Sequence, residues 1–357
     1  MSILYTTGRE SGAGHESRTA AVESTPDHAT AIAHPNIALV KYWGKRDDSL
    51  ILPVTDSLSM TVDIFPTVTT VSIDPQVRAD TVVFGEEPAP EHIRARITRF
   101  LDLIREFAGA SGHAVVHTRN SVPTGAGLAS SASGFAALAL AAATVYGLRP
   151  DRATLSRLAR RGSGSACRSV HGGFALWHAG AGWGADGDHS SYAEQLYTSE
   201  FDPAMVITVV DDRAKRISSR DAMHRTLSTS PLYLAWANTC AADIAGIRAA
   251  LGCGDLDAIG RIAEHNALGM HATMLAARPP IRYLSPKSVA VLDRILHLRE
   301  QGLCVYATVD AGPNVVALCH ESDAVAVAAE LGAAGEHIRT FIARPGPGAA
   351  LVSGGGA

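Results

Sequence analysis

Residues Pro123-Thr124-Gly125-Ala126-Gly127-Leu128-Ala129-Ser130-Ser131-Ala132-Ser133-Gly134 form a Gly- and Ser-rich run that leads straight into an Ala/Leu-rich helical segment. Such a run is suited to cradling phosphate. Glycines let the backbone approach an anion closely, and the free N–H groups at a helix start aim donors and a positive dipole end at negative oxygens. Ser130, Ser131 and Ser133 add hydroxyls able to bind phosphate or a phosphate-bound Mg²⁺. An ordinary serine N-cap would explain only one of these serines. The run is neither a Walker A site, since no lysine follows it, nor a dinucleotide fingerprint of the Gly-x-Gly-x-x-Gly kind. A second knot, Gly162-Ser163-Gly164-Ser165-Ala166-Cys167-Arg168, has the make-up of an anion nest with an arginine behind it. The planar fork of Arg168 offers two parallel charge-assisted donors to a carboxylate, where a lysine would offer a point charge.

Positioning these loops requires a framework. Leu58 to Phe65 and Thr67 to Ile73 are β-like runs joined at Pro66, which implies an antiparallel sheet. Glu91 to Ala108 places Ile93, Ile97, Phe100, Leu101, Ile104 and Phe107 at helical spacing, with Arg and Asp on the other face. A strand at His113 to His117 feeds the first loop, and the helix behind that loop runs to Tyr146, where Gly147 ends it. Further strands are expected at Gly173 to His178 and Met205 to Val210. From Ser230 to Arg299 the pattern turns helical, broken at Gly252-Cys253-Gly254 and Pro279-Pro280, before a hairpin over Val305 to Leu318 with Ala311-Gly312-Pro313 at its tip. The expected architecture is α+β and two-lobed, antiparallel sheets with helices and a cleft between the lobes. It divides into a loose lead-in over 1–30, an N-terminal lobe over 31–200, a C-terminal lobe over 201–345 and a flexible tail over 346–357.

Composition narrows the class. A chain of 357 residues with 46% hydrophobic and 18% charged residues suits a globular enzyme with a substantial core. A net charge of −4 without a basic run lacks the electrostatic footprint of a nucleic-acid binder. The longest apolar run, Phe135 to Val145, is too short to span a bilayer, and the first residues lack the pattern of a signal peptide. Cys167, Cys240, Cys253, Cys304 and Cys319 are scattered, as in a reduced cytoplasmic protein. His265 and His271 are six apart and lack the spacing of helical zinc ligands, so they read as structural.

The pattern Pro-x-x-x-Gly-Leu-x-Ser-Ser-Ala from Pro123 to Ala132 resembles the phosphate loop of the GHMP kinase superfamily of small-molecule kinases. His34-Pro35-Asn36-Ile37-Ala38-Leu39-Val40-Lys41-Tyr42-Trp43-Gly44-Lys45-Arg46-Asp47 resembles the signature of diphosphomevalonate decarboxylases within it. Gly162 to Arg168, Ser218-Ser219-Arg220 with Met223, and Asp310-Ala311-Gly312-Pro313-Asn314 match the same pattern, so the resemblance extends from residue 31 to about 318. It implies a GHMP-kinase-like fold, ATP and Mg²⁺ as cofactors, a homodimer, and an ATP-dependent decarboxylation. The substrate's tertiary 3-hydroxyl is phosphorylated, then phosphate and CO₂ leave and isopentenyl diphosphate remains.

The roles that the resemblance implies can be set against plainer ones. Asp310 becomes the base or orienter of the hydroxyl, although Asp before Gly-Pro is also a common turn residue. Arg168 becomes the clamp on the substrate carboxylate, with Ser163 and Ser165 hydrogen-bonding carboxylate or phosphate. Tyr42, Lys45, Ser219 and Arg220 hold the diphosphate, Lys41 lies near the transferring phosphate or the carboxylate, and Asn36 supports the substrate or Asp310. Trp43 and Met223 serve equally well as packing residues. Pro123, Gly125, Gly127, Leu128, Ser130, Ser131 and Ser133 hold the triphosphate, with Ser131 placing Mg²⁺. One departure stands out: Asp221 puts an acid beside a phosphate site unless it turns toward Arg216 or Arg225. The same machinery could act on mevalonate 5-phosphate or stop as a 3-kinase, and a phosphate loop alone could serve a non-catalytic ATP-binding module.

Overall fold

A computed structural model describes residues 26–121, 130–211 and 217–352. Strand Thr67–Ile73 buries alternate side chains, as a strand with one face on a core must, and pairs with His28–Ala33 and Ala114–Asn120. They belong to a sheet whose spatial order is Ala350–Leu351, His28–Ala33, Thr67–Ile73, Ala114–Asn120, Thr81–Phe84, Glu87–Pro88. All its pairings are antiparallel except that of Thr81–Phe84 with Ala114–Asn120. Ser57–Thr61 is buried on both faces and enters a different sheet, ordered Ala193–Gln195, Phe174–Trp177, Ser57–Thr61, Asn36–Val40. The two runs expected to share one sheet are thus split: the chain turns between them through Phe65, at φ 58°.

Helix Glu91–Ala108 forms where its apolar spacing places it, buries Ile97, Phe100, Leu101 and Ile104, and stops at Gly109, whose φ of 58° suits glycine. Helix Ser130–Val145 packs on strands His28–Ala33 and Thr67–Ile73 and on helix Arg152–Gly162. Its Ala136, Ala137, Ala139, Ala141, Ala142 and Ala143 are fully buried, and small side chains are what allow a helix to be enclosed so closely.

The C-terminal half carries a sheet ordered Val305–Val309, Val315–His320, Pro203–Val209, Arg339–Ala343, covered by helices Leu256–Leu275, Pro286–Glu300 and Ala324–Gly332, with Tyr233–Cys253 packed on Leu256–Leu275. One apolar cluster runs from Ile37, Leu39 and Met60 to Met205, Ile259 and Met270, so the halves share a core. Of the tail expected over 346–357, residues 353–357 lie outside the described residues, and 346–352 make backbone contacts. Ala350 and Leu351 pair with Ile32 and Ala31, and Gly346 N–H donates to the Thr61 carbonyl at 2.7 Å. The Ala349 and Val352 N–H groups donate to the Val170 and Thr30 carbonyls, which ties this stretch to the N-terminal half. No helix among the described residues is long and apolar enough to cross a membrane.

Candidate active site

Strand Asn36–Val40 is followed by Lys41, whose side chain is 2% exposed. Its Nζ lies 2.6 Å from Asp310 Oδ1 and donates to the Ala38 carbonyl at 2.8 Å. Asp310 follows strand Val305–Val309 at the hairpin tip, with its side chain half exposed. That tip is anchored by Asn314, whose Oδ1 accepts from the Val210 N–H at 2.8 Å. Burial pushes the Lys41 amine below its ordinary value and Arg168 pushes the same way, while Asp310 opposes both.

Arg168 sits on the short helix Ala166–Ser169 behind the Ser/Gly knot, 3% exposed. Its Nε donates to Ser59 Oγ at 2.9 Å and Asn36 Oδ1 at 3.2 Å, and its Nη1 donates to Ser57 Oγ. Asn36 in turn donates to Ser169 Oγ at 2.8 Å and the Ser165 carbonyl at 3.0 Å, so it orients the clamp. Trp177 lies 5.8 Å beneath the guanidinium. Among the described residues Arg168 has no carboxylate ion pair, and its Nη2 makes no hydrogen bond. Burial depresses its basicity, with Cys167, Asp310 and Tyr42 opposing.

Both groups open into one cleft of about 500 Å³. Asn36, Lys41, Tyr42, Lys45, Ser131, Ser163, Ser165, Arg168, Ser219, Arg220 and Asp310 all line it, together with Trp43 and Met223. Tyr42 packs on Trp177 at 4.7 Å, and its buried hydroxyl has no hydrogen-bond partner among the described residues. Lys45 Nζ meets Asp48 Oδ1 at 2.8 Å. Ser163 and Ser131 hydroxyls lie 3.2 Å apart where the nest meets the loop helix. Pro123, Gly125, Gly127 and Leu128 lie outside the described residues, and Ser130 is described only as the first residue of its helix. Ser133 does not line this cleft. It is fully buried, its hydroxyl 2.7 Å from the side-chain oxygen of Thr67 on the sheet side of the helix.

Residues 33–193 match the profile described as diphosphomevalonate decarboxylase-like N-terminal domain, and 205–339 that of the mevalonate 5-diphosphate decarboxylase C-terminal domain. The chain is 39% identical over 311 residues to the diphosphomevalonate decarboxylase of Ganoderma lucidum, covering 81% of this chain and 77% of that protein. This chain belongs to the diphosphomevalonate decarboxylase family. It is also 34% identical over 288 residues to the phosphomevalonate decarboxylase of Haloferax volcanii, covering 80% of this chain and 86% of that protein. Among solved structures it resembles MDDEF in complex with MVAPP, AMPPCP and magnesium, with a TM-score of 0.86, 40% identity, and coverage of 91% and 99% of the two chains.

For a decarboxylase of this family, the cleft holds one cationic residue that the sequence reading did not single out. Arg96 lines it from helix Glu91–Ala108 and donates to the Gly162 carbonyl at 2.8 Å. It stands beside Ile97 and between Ile93 and Phe100, on the border of the apolar stripe, and that placement was the available signal. Arg96 and Ser131 also border a second cavity of about 330 Å³, walled by Phe84, Ile93, Ile97 and Leu138. Asp221 is explained locally. Ser218 caps helix Ser219–Thr229, accepting from the Asp221 N–H at 3.1 Å and donating to Asp221 Oδ2 at 2.6 Å. An acid in the first turn suits the positive end of that helix.

Proposed function

We propose that this chain catalyses the ATP-dependent decarboxylation of (R)-5-diphosphomevalonate, yielding isopentenyl diphosphate, ADP, phosphate and CO₂. The observation that carries this reading is a buried guanidinium, unpaired by any described carboxylate, in the same cleft as the Lys41–Asp310 pair. A buried cation of that kind is complementary to a carboxylate that arrives with the substrate. Asp310 orients the 3-hydroxyl and takes its proton as the phosphoryl group transfers, and the Lys41 ammonium offsets the negative charge that develops beside it. Phosphate then leaves with the C–O electron pair, the C–C bond to the carboxylate breaks with its electrons forming the new C=C bond, and the carboxylate departs as CO₂. Lys45, Ser219, Arg220, Arg96 and the Tyr42 hydroxyl take the diphosphate.

ATP enters from the side of helix Ser130–Val145, its phosphates at the Gly125–Ser131 segment and its base in the apolar cavity beyond Arg96. Mg²⁺ would be carried on the nucleotide phosphates and met by Ser131, whose hydroxyl lines the cleft. Such an ion would neutralise phosphate charge during transfer. All five cysteines are free thiols, which supports a cytoplasmic setting. Exposed Leu234, Leu268 and Leu275 on the paired helices Tyr233–Cys253 and Leu256–Leu275 supply apolar surface for the homodimer.

The test is CO₂ release from mevalonate, its 5-phosphate and its 5-diphosphate with Mg-ATP. The diphosphate is expected to be the preferred substrate; preference for the monophosphate, or ADP without CO₂, overturns the reading. Asp310→Asn should lower turnover by about 10³-fold, the usual scale for loss of an acid–base group, with ATP binding nearly intact.

A further inference from the structure

Lys41 and Asp310 come from opposite halves of the chain, yet their reacting atoms are held 2.6 Å apart. Helix Leu256–Leu275 packs against both parent strands, Asn36–Val40 and Val305–Val309. Two of its fully or nearly fully buried polar side chains reach the main chain of the two residues themselves. Asn266 Oδ1 accepts the Lys41 N–H at 2.9 Å, and its Nδ2 is tied to Asp243 Oδ2 at 2.7 Å. His271 Nε2 lies 3.2 Å from the Asp310 carbonyl oxygen. A carbonyl only accepts, so Nε2 carries the hydrogen. Asn266 and His271 are five residues apart, about 7.5 Å along a helix axis, and that spacing sets the separation of the two anchored backbones. Thr308 Oγ1 adds a cross-tie, donating at 3.0 Å to the same Ala38 carbonyl that receives Lys41 Nζ.

We propose that Asn266 and His271 are positioning residues: one helix fixes both backbones and so sets the approach of the Lys41 ammonium to the Asp310 carboxylate. This rests on the reading of Asp310 as the group that serves the 3-hydroxyl. His271 matters because Asp310 sits at a hairpin tip with a half-exposed side chain, where a small rotation of the peptide would carry the carboxylate away from the reacting oxygen. Asn266 does the same for the other partner, since Lys41 lies just past the end of its strand.

The experiment is a double-mutant cycle on the full chain, with steady-state kinetics for both substrates. His271→Met should lower kcat by about 10- to 100-fold, the scale of a small misplacement of a reacting group, while KM for either substrate changes little. His271→Gln, whose amide N–H can reach the same carbonyl, should restore most of the rate. In an Asp310→Asn background His271→Met should cost nothing further. An unchanged kcat in His271→Met, or the same loss repeated in the Asp310→Asn background, overturns the proposal. Wild-type turnover in Asp310→Asn alone would instead overturn the role of Asp310, so the two failures are told apart. If His271→Met does not fold, His271→Asn, whose amide falls a methylene short, gives the same comparison with a polar side chain retained.

Discussion

Replacing Arg168 by lysine tests the carboxylate clamp directly. In the folded chain Nε serves Ser59 at 2.9 Å and Asn36 at 3.2 Å, Nη1 serves Ser57, and Nη2 is left facing no described partner. A lysine ammonium at this position cannot satisfy that inner set and still present a parallel pair of donors to an incoming carboxylate. Losing one charge-assisted hydrogen bond to the substrate is worth about 1.5–3 kcal/mol, so kcat/KM for diphosphomevalonate should fall by about 10- to 100-fold. A second cost falls on the folded state. Any of the Ser57, Ser59 and Asn36 oxygens left without its donor is buried, at about 1–3 kcal/mol each. The assay is initial-rate ADP and CO₂ release at varied diphosphomevalonate, with nucleotide binding and a thermal melt on the same preparation. Nucleotide affinity should hold. If kcat/KM stays within threefold of wild type while the melting temperature drops, Arg168 is a structural residue and the clamp argument fails.

Gly164 stands against the Tyr42 ring: a Cβ there would lie 2.8 Å from Tyr42 Cε1, and Trp177 blocks the ring from yielding. Gly164→Ala should therefore raise KM for diphosphomevalonate by about tenfold, in line with an overpacking strain of 1–3 kcal/mol; unchanged KM would remove Tyr42 from diphosphate binding. Burial, reinforced by Lys41, pushes the His271 imidazole down to about 4. Between about pH 6.5 and that value the unfolded chain binds a proton that the folded chain refuses, so wild-type stability should decline as pH falls through the window. Urea midpoints measured across it should show a steeper decline for wild type than for His271→Gln; parallel curves would refute the account of His271 burial.

Local features of the architecture were legible where one physical signal dominated. Helix Glu91–Ala108 was readable because its apolar stripe ends at a glycine, and the hairpin around Asp310 because Ala311-Gly312-Pro313 interrupts two apolar strands. What escaped depends on partners distant in sequence. Ser133 belongs to a Ser-rich loop by composition, but helical geometry turns it toward Thr67, which lies 66 residues away. Ala350–Leu351 is a strand only because the edge of His28–Ala33 is there to receive it. Arg96 looked like part of a solvated face, and only packing against Phe135, with its guanidinium 4.5 Å from the ring, carries it into the cleft. Asp221 looked anomalous because its relation to Ser218, a local cap, was weighed as long-range electrostatics.

The arginines of this chain separate into two kinds by what they face. Arg105 forks onto Asp80 at 2.9 and 3.1 Å, and Arg157 and Arg160 converge on one shared carboxylate, Asp188; each such guanidinium has a carboxylate partner inside the fold. Arg168 is nearly as buried as Arg160 and is given serine hydroxyls, an asparagine oxygen and an indole face. A carboxylate at Ser57 or Ser59 would stabilise the apo fold better, since desolvating an unpaired charge costs several kcal/mol. It would also occupy the fork and repel an anionic substrate. Neutral acceptors hold the guanidinium in place without neutralising it, so its electrostatic complement must come from outside. The stability forgone in the empty cleft is then recovered on binding the hydroxy acid, and substrate should raise the melting temperature of wild type more than that of Arg168→Met by mass action.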